Sequence, residues 1–227
     1  ADIKTADQLD LPTPEVEYHN IVAKPTEHQQ DMVKALSERA AKVHSGTVDP
    51  STDNMLKITS DGRKLGLDQR IINPMLPDEP GTKVNQCVDN ILQIWRDGQP
   101  EKLTQLVFCD ISTPQAAGSK KVAKTLDNPM LHALEQAIPE PEKPLAFTVY
   151  EDIRQKLIAQ GMPASQIAFI HEANTEVRKK ELFSKVRSGQ VRVLLGSTQK
   201  MGAGTNVQDL LVALHDLDCP WRPGDLA

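Results

Sequence analysis

The chain has 227 residues, 39% hydrophobic and 25% charged, which is the balance of an ordinary globular protein able to build a core without disulfides or metal. Its formal net charge of −5 excludes bulk electrostatic attraction to nucleic acid, so any phosphate contact must come from local cations and backbone amides. No apolar run approaches the ~20 residues of a membrane span, and the N-terminus, Ala1-Asp2-Ile3-Lys4, is not a signal peptide. Cys87, Cys109 and Cys219 are scattered among apolar neighbours, which reads as buried thiols rather than a disulfide or zinc framework. A reducing, cytoplasmic setting is the expectation, and the missing initiator Met suggests an excised piece of a longer protein.

Residues 1–80 read as an N-terminal strand and helical appendage. Glu15 to Val22 is a candidate strand, and Pro25 at a first helical position starts a helix. Met32, Leu36, Ala40 and Val43 recur at helical spacing along it, and Gly46 ends it. Weak periodicity from Pro50 to Pro80 predicts short helices and loop, with Asp61-Gly62-Arg63-Lys64 as a turn.

Residues 81–227 alternate in a different way. A helix from about Lys83 to Arg96 carries the stripe Val84, Val88, Ile91, Leu92 and Trp95. The run Leu106 to Cys109, ending at Asp110, is short and apolar like a strand buried on both faces. Residues 112–147 form a long polar excursion with a short helix expected around Met130 to Ala137. Thr148 and Glu151 have capping-box spacing, Ile153, Leu157 and Ile158 give an inner face, and Gly161 stops that helix. Ile167 to Ile170 is a strand. Asn174 or Thr175 caps a helix whose face is Leu182, Phe183 and Val186, closed by Gly189. Val191 to Leu195 and Leu210 to Leu217 are further strands.

Strands alternating with helices predict an α/β fold with parallel strands and helices on both faces. In such sheets, ligands meet the loops at the carboxyl ends of the strands. That rule selects Asp110 to Pro114, His171 to Thr175, Gly196 to Gln208 and Asp218 to Pro223.

Gly196 to Gln208 is the most informative of these, with three glycines, three hydroxyls and one lysine directly after a strand. Glycines let amides approach phosphates, and small hydroxyls donate to them. The stretch is not a Walker A loop, because no Gly-Lys-Ser/Thr ends it. Taken alone, a glycine-rich turn of this kind is as often structural as functional.

With its flanks the stretch resembles a known family. Gly189 to Leu195 leading into Ser197-Thr198, then Gly202-Ala203-Gly204-Thr205-Asn206, resembles motif V of superfamily-two ATPases of the Swi/Snf-like branch. Leu214 to Pro223 resembles the strand and Asp-x-x-Trp-x-Pro turn that follow in that family. Leu106 to Asp110 resembles motif IV. Phe169 to Thr175 with Arg178, Lys83 before its helix, and Pro25 with Gln29 also match the pattern. Asp61-Gly62-Arg63-Lys64 and Leu67-Asp68-x-Arg70 are similar to the helicase part of helicase–DNA methyltransferase proteins of mobile elements and phages.

The resemblance implies a RecA-like C-terminal lobe, ending before the last, arginine-rich motif. It implies that ATP and magnesium are used by the complete motor and that none is held by this chain alone. Partners would be DNA, bound through its backbone without reading sequence, a first RecA-like lobe, and a fused DNA methyltransferase. Gly202, Gly204 and Asn206 would shape the nucleotide cleft. Thr113, Asn174, Thr175, Arg178, Lys179, Ser197, Thr198 and Lys200 would face DNA phosphates. No catalytic residue and no metal ligand is expected here. A non-catalytic RecA-like partner-docking module remains open, as does a small-ligand enzyme using Asp110 and His171. Against a metal site at His215, Asp216 and Asp218, strand alternation sends His215 to the opposite face. Trp221 reads as packing rather than base stacking.

Overall fold

A computed structural model describes residues 15–114, 147–202 and 205–218. Three helices come first: α1 (Glu27–His44), α2 (Met55–Leu67) and α3 (Lys83–Asp97). The sheet region follows as β1 (Thr104–Phe108), α4 (Val149–Ala159), β2 (Ile167–Phe169) and α5 (Glu176–Arg187). It continues with β3 (Val193–Gly196), the one-turn helix α6 (Thr198–Met201) and β4 (Leu211–Asp216).

Each of the five longer helices begins where a side chain can take an otherwise unpaired amide. Thr26, Asn54, Thr82, Thr148 and Thr175 all accept from the amide three residues on. Such caps are worth about 1 kcal/mol each. At Thr26 the box is complete, since Gln29 accepts from the Thr26 amide in return. Pro25 therefore precedes the cap instead of opening the helix.

The sheet is parallel throughout, in the order β2-β3-β1-β4. Side-chain alternation divides the core in two. Val107, Val193, Leu195, Ile167 and Phe169 meet α3 and α4 on the first face, against Val84, Val88, Ile91, Ile153 and Leu157. Leu106, Leu194, Ala168 and Ile170 meet α5 and α6 on the second face, against Val186 and Met201. Burying side chains of this size contributes roughly 1.5–3 kcal/mol each. This is an α/β, RecA-like parallel sheet with helices on both faces, preceded by a mainly helical N-terminal part.

A buried arginine closes the amino end of the sheet. Arg192 is 1% exposed and donates to the carbonyls of Leu103, Gly98 and Trp95. Two of these lie at the end of α3, where the helix dipole favours a cation.

The N-terminal part is tied to the sheet region by charge as well as apolar contact. Leu67 joins the first-face core. Arg70 donates to both oxygens of Asp68 and of Asp152 in α4, and its guanidinium lies 4.5 Å from the Phe147 ring centroid. Lys156 pairs with Asp78 and Asp152, each at 2.7 Å. Thr26 donates to Gln69, which donates in turn to the Pro77 carbonyl, while Gln29 donates to the Leu65 carbonyl.

Four further expectations need correction. Glu15 to Val22 is not a strand, since its backbone pairs with nothing among the described residues. Asp61 to Lys64 is no turn but lies inside α2, where Asp61 accepts from Arg39. The region after Pro50 holds a 13-residue helix rather than short pieces. Ile158 is 40% exposed and turns away from the core that Ile153 and Leu157 enter. The helix expected at Met130 to Ala137 lies outside the described residues.

Candidate functional site: the carboxyl ends of the central strands

Because the strands are parallel, the described residues of the four loops singled out from sequence all start from the same end of the sheet. β1 and β3 are neighbours, with Phe108 opposite Gly196. The chain leaving β1 goes on to α4 on the first face, whereas the chain leaving β3 forms α6 on the second. Adjacent strands whose continuations diverge to opposite faces leave a crevice between their ends, the usual ligand position in open α/β sheets.

A chain of hydrogen bonds organises this crevice. The Asp218 carboxylate, following β4, accepts from the amides of Asp110 and Ile111, at 2.9 and 2.7 Å. The Asp110 carboxylate accepts from the Thr198 amide at 2.7 Å. Three strand ends are thereby held in one register. Burial pushes the Asp218 carboxyl above its usual range, opposed by the two amide bonds and by the charge of Arg63 on α2. The price of burying that carboxylate is offset by the donors converging on it.

Gly196 is required by close packing. A Cβ there would lie 2.5 Å from Ile170 Cγ2 and 2.6 Å from Met201 Sδ. Its bare backbone lets the turn after β2 meet α6. Gly202 is likewise constrained, since a Cβ would lie 2.6 Å from the Thr198 carbonyl oxygen. It is exposed, as is Asn206, whose backbone carbonyl accepts from Arg187. Gly204 lies outside the described residues.

The residues expected to face DNA form two groups. Ser197, Thr198 and Lys200 sit at the β1–β3 crevice. Ser197 makes no capping bond with its side chain, Lys200 is exposed, and the Thr198 amide is already committed to Asp110. That amide is thus committed within the chain, and the Thr198 residue is half-buried. Thr113 is half-buried near the end of β1. Asn174, Thr175 and Arg178 are exposed beyond β2, at the sheet's edge, where Thr175 rather than Asn174 is the cap. Lys179 is paired with Glu176 at 3.1 Å. The two groups share the carboxyl end but are carried by different strands.

Three arrangements at the site were not foreseen, although His171 itself is a sequence candidate. Tyr150, fully buried in the first turn of α4, donates to the Cys109 carbonyl beyond β1. Burial, with the carboxylates of Asp218 and Asp110 nearby, drives its phenol upward, so it stays protonated. Ser112, at a φ of 61°, accepts from the Val149 amide. His171 lies edge-on to Tyr150 at 5.3 Å, and its Nδ1 is buried with no partner among the described residues. Burial and then Lys200 lower its pKa, which keeps it neutral. A phenol beside an apolar stretch carries no sequence signal for these contacts.

His215 does not join a metal-binding set. Its ring bonds Gln105 Oε1 at 2.9 Å, and Gln105 donates its own amide to the Ile91 carbonyl. No group of three potential ligands lies together among the described residues. Nor is any helix among them long and apolar enough to cross a membrane. Cys87 and Cys109 are buried free thiols, and burial pushes Cys87 up to about 12, far from a reactive thiolate. Cys219 and Trp221 lie outside the described residues.

No protein-family model matches the chain, and no curated protein matches it.

Proposed function

We propose that this chain is the C-terminal RecA-like lobe of an ATP-driven DNA helicase or translocase of superfamily two, Swi/Snf-like branch. It would form one wall of the ATP cleft and hold the DNA backbone. The observation that carries the reading is the position of the motif-V-like stretch. It leaves β3 beside β1 at the crevice, with its Thr198 amide pinned by Asp110 and with Ser197 and Lys200 left for a ligand.

In this reading the exposed Gly202 backbone and Asn206 side chain border the nucleotide. Magnesium-bound ATP would supply the phosphoryl transfer that drives the motor, held by a phosphate-binding loop on a companion lobe; this sequence itself has no Walker A run. The residues here position and shield. The Asp218–Asp110–Thr198 chain fixes the crevice wall, Ser197 and Lys200 meet the DNA backbone, and Arg178 with the Thr175 hydroxyl extends that contact beyond β2. Such contacts orient DNA without selecting sequence.

Fluorescence anisotropy of a labelled DNA duplex with this chain tests the proposal. Weak, sequence-independent binding is expected, falling as salt rises. Combining Arg178→Ala with Lys200→Ala should weaken it at least tenfold at low salt. No binding at low salt, or binding untouched by the double substitution, would favour the partner-docking module instead.

A further inference from the structure

β2 and β3 are neighbours in the sheet, and the turns that leave them pack on each other. Ile170, after β2, and Met201, in α6, both enter the second-face core and close over the bare backbone of Gly196. Their chain neighbours, His171 and Lys200, flank that contact at the carboxyl end of the sheet. His171 is half-buried and Lys200 is exposed.

The His171 ring is held in place and has nothing to bond. It lies edge-on to Tyr150 of α4, with centroids 5.3 Å apart. Nδ1 is its one buried, unpartnered ring nitrogen; Nε2 keeps access to solvent and bonds no described residue. The other polar groups that face this ring are occupied. From α4, the Tyr150 hydroxyl donates to the Cys109 carbonyl, and Arg154 pairs with Glu172 at 3.1 Å while lying over the Phe169 ring. The carboxylates that bear on the Tyr150 phenol, Asp110 and Asp218, accept from backbone amides. From α6 comes Lys200, whose charge acts on the ring and which has no ion pair among the described residues.

A neutral imidazole carries one N–H and one bare nitrogen. A buried N–H without an acceptor forfeits its hydration, so the proton belongs on Nε2, where water or a ligand can accept it. Burial and then Lys200 disfavour a second proton. The turn after β2 thus offers a fixed, uncharged donor beside a cation, with no unspent carboxylate among the described groups that face it. That combination suits an oxyanion.

We propose that His171 Nε2 and the Lys200 ammonium together bind one phosphate group between the ends of β2 and β3, the histidine as neutral donor and the lysine as charge. A bound phosphate offsets the repulsion from Lys200, so the imidazole protonates more easily when the site is filled, and binding strengthens as pH falls through its titration. A neutral donor releases no counterion. Removing it lowers affinity at an unchanged salt slope, whereas removing Lys200 lowers the slope by about 1. That the phosphate belongs to a DNA backbone rests on the function proposed above; the site itself does not.

Nitrogen-15 NMR of the histidines reads the ring directly, with the His171 signal assigned by its loss in His171→Gln. Sulfate serves as the probe, because its charge is constant over the titration, against chloride at equal ionic strength. The free chain should carry the proton on Nε2. Sulfate should raise the His171 titration midpoint by about half a pH unit, which is about threefold tighter binding to the protonated ring. Lys200→Met should remove that response. A proton on Nδ1, a midpoint indifferent to sulfate, or a response that survives Lys200→Met would overturn the proposal. With duplex DNA at alkaline pH, His171→Ala should weaken binding without changing the salt slope. His171→Gln, which keeps a donor but cannot titrate, should restore that binding and lose the gain at low pH. A sulfate response without DNA binding supports the phosphate site and removes the helicase reading. DNA binding that leaves the His171 midpoint unmoved removes the site and spares that reading.

Discussion

Acidification should destabilise this protein through His215, and the size of the effect follows from its surroundings. Gln105 gives its amide hydrogens to the Ile91 carbonyl, leaving its oxygen to accept from His215 Nε2. The proton sits on Nε2, and burial keeps the ring neutral by pushing its pKa from 6.5 down to about 4. The folded value lies below the unfolded one, so the unfolded chain binds the proton first. The stabilisation is complete above the unfolded value and is lost as pH falls toward the folded one. The full loss is about 3 kcal/mol, and about 1.4 kcal/mol is gone by pH ~5.5. His215→Gln keeps an amide donor for Gln105 but cannot titrate. Urea unfolding followed by circular dichroism, from neutral pH to the folded pKa, should show the difference in stability between the two proteins shifting by that amount. His171, also depressed by burial, titrates in both proteins and cancels. Parallel stability profiles for the two proteins would mean that His215 binds its proton equally well folded and unfolded.

Two further substitutions probe the frame around the crevice. Arg192→Met should lower unfolding stability by about 2–4 kcal/mol, because the Leu103 and Gly98 carbonyls lose a charged donor in a buried place. Denaturant midpoints measure it, and a loss below half that range would mean the guanidinium adds little. Gly196→Ala drives a methyl against Ile170 and Met201 and should cost about 1–3 kcal/mol. DNA binding should weaken with it if the Ser197 turn is displaced, and anisotropy beside thermal melting separates the two effects.

The sheet region was legible because its signals are local. The α3 stripe, the hydroxyl caps at Thr148 and Thr175, and the stops at Gly161 and Gly189 each rest on residues a few positions apart. Parallel pairing then followed from alternation. What stayed hidden depends on distant partners. The apolar alternation of residues 15–19 would describe a paired strand as well as the unpaired segment it belongs to, because period alone does not supply an edge. Asp61-Gly62-Arg63-Lys64 has turn composition, yet Arg39 holds Asp61, and Gly62 lies opposite Leu36, so packing of α1 on α2 overrides local preference. At the crevice, the glycine-and-hydroxyl composition marked the right place. It could not show that Asp110, 88 positions earlier, would occupy the Thr198 amide, nor that Tyr150 would bond the Cys109 carbonyl.

A helicase lobe requires the turn after β3 to face a nucleotide-bearing companion lobe. DNA-stimulated ATP turnover by a polypeptide joining this chain to a Walker A-bearing lobe tests that most directly, with Asn206→Ala as the perturbation, since its exposed side chain makes no hydrogen bond among the described residues. Turnover should fall at least tenfold while the melting temperature holds. Unchanged turnover would contradict the account.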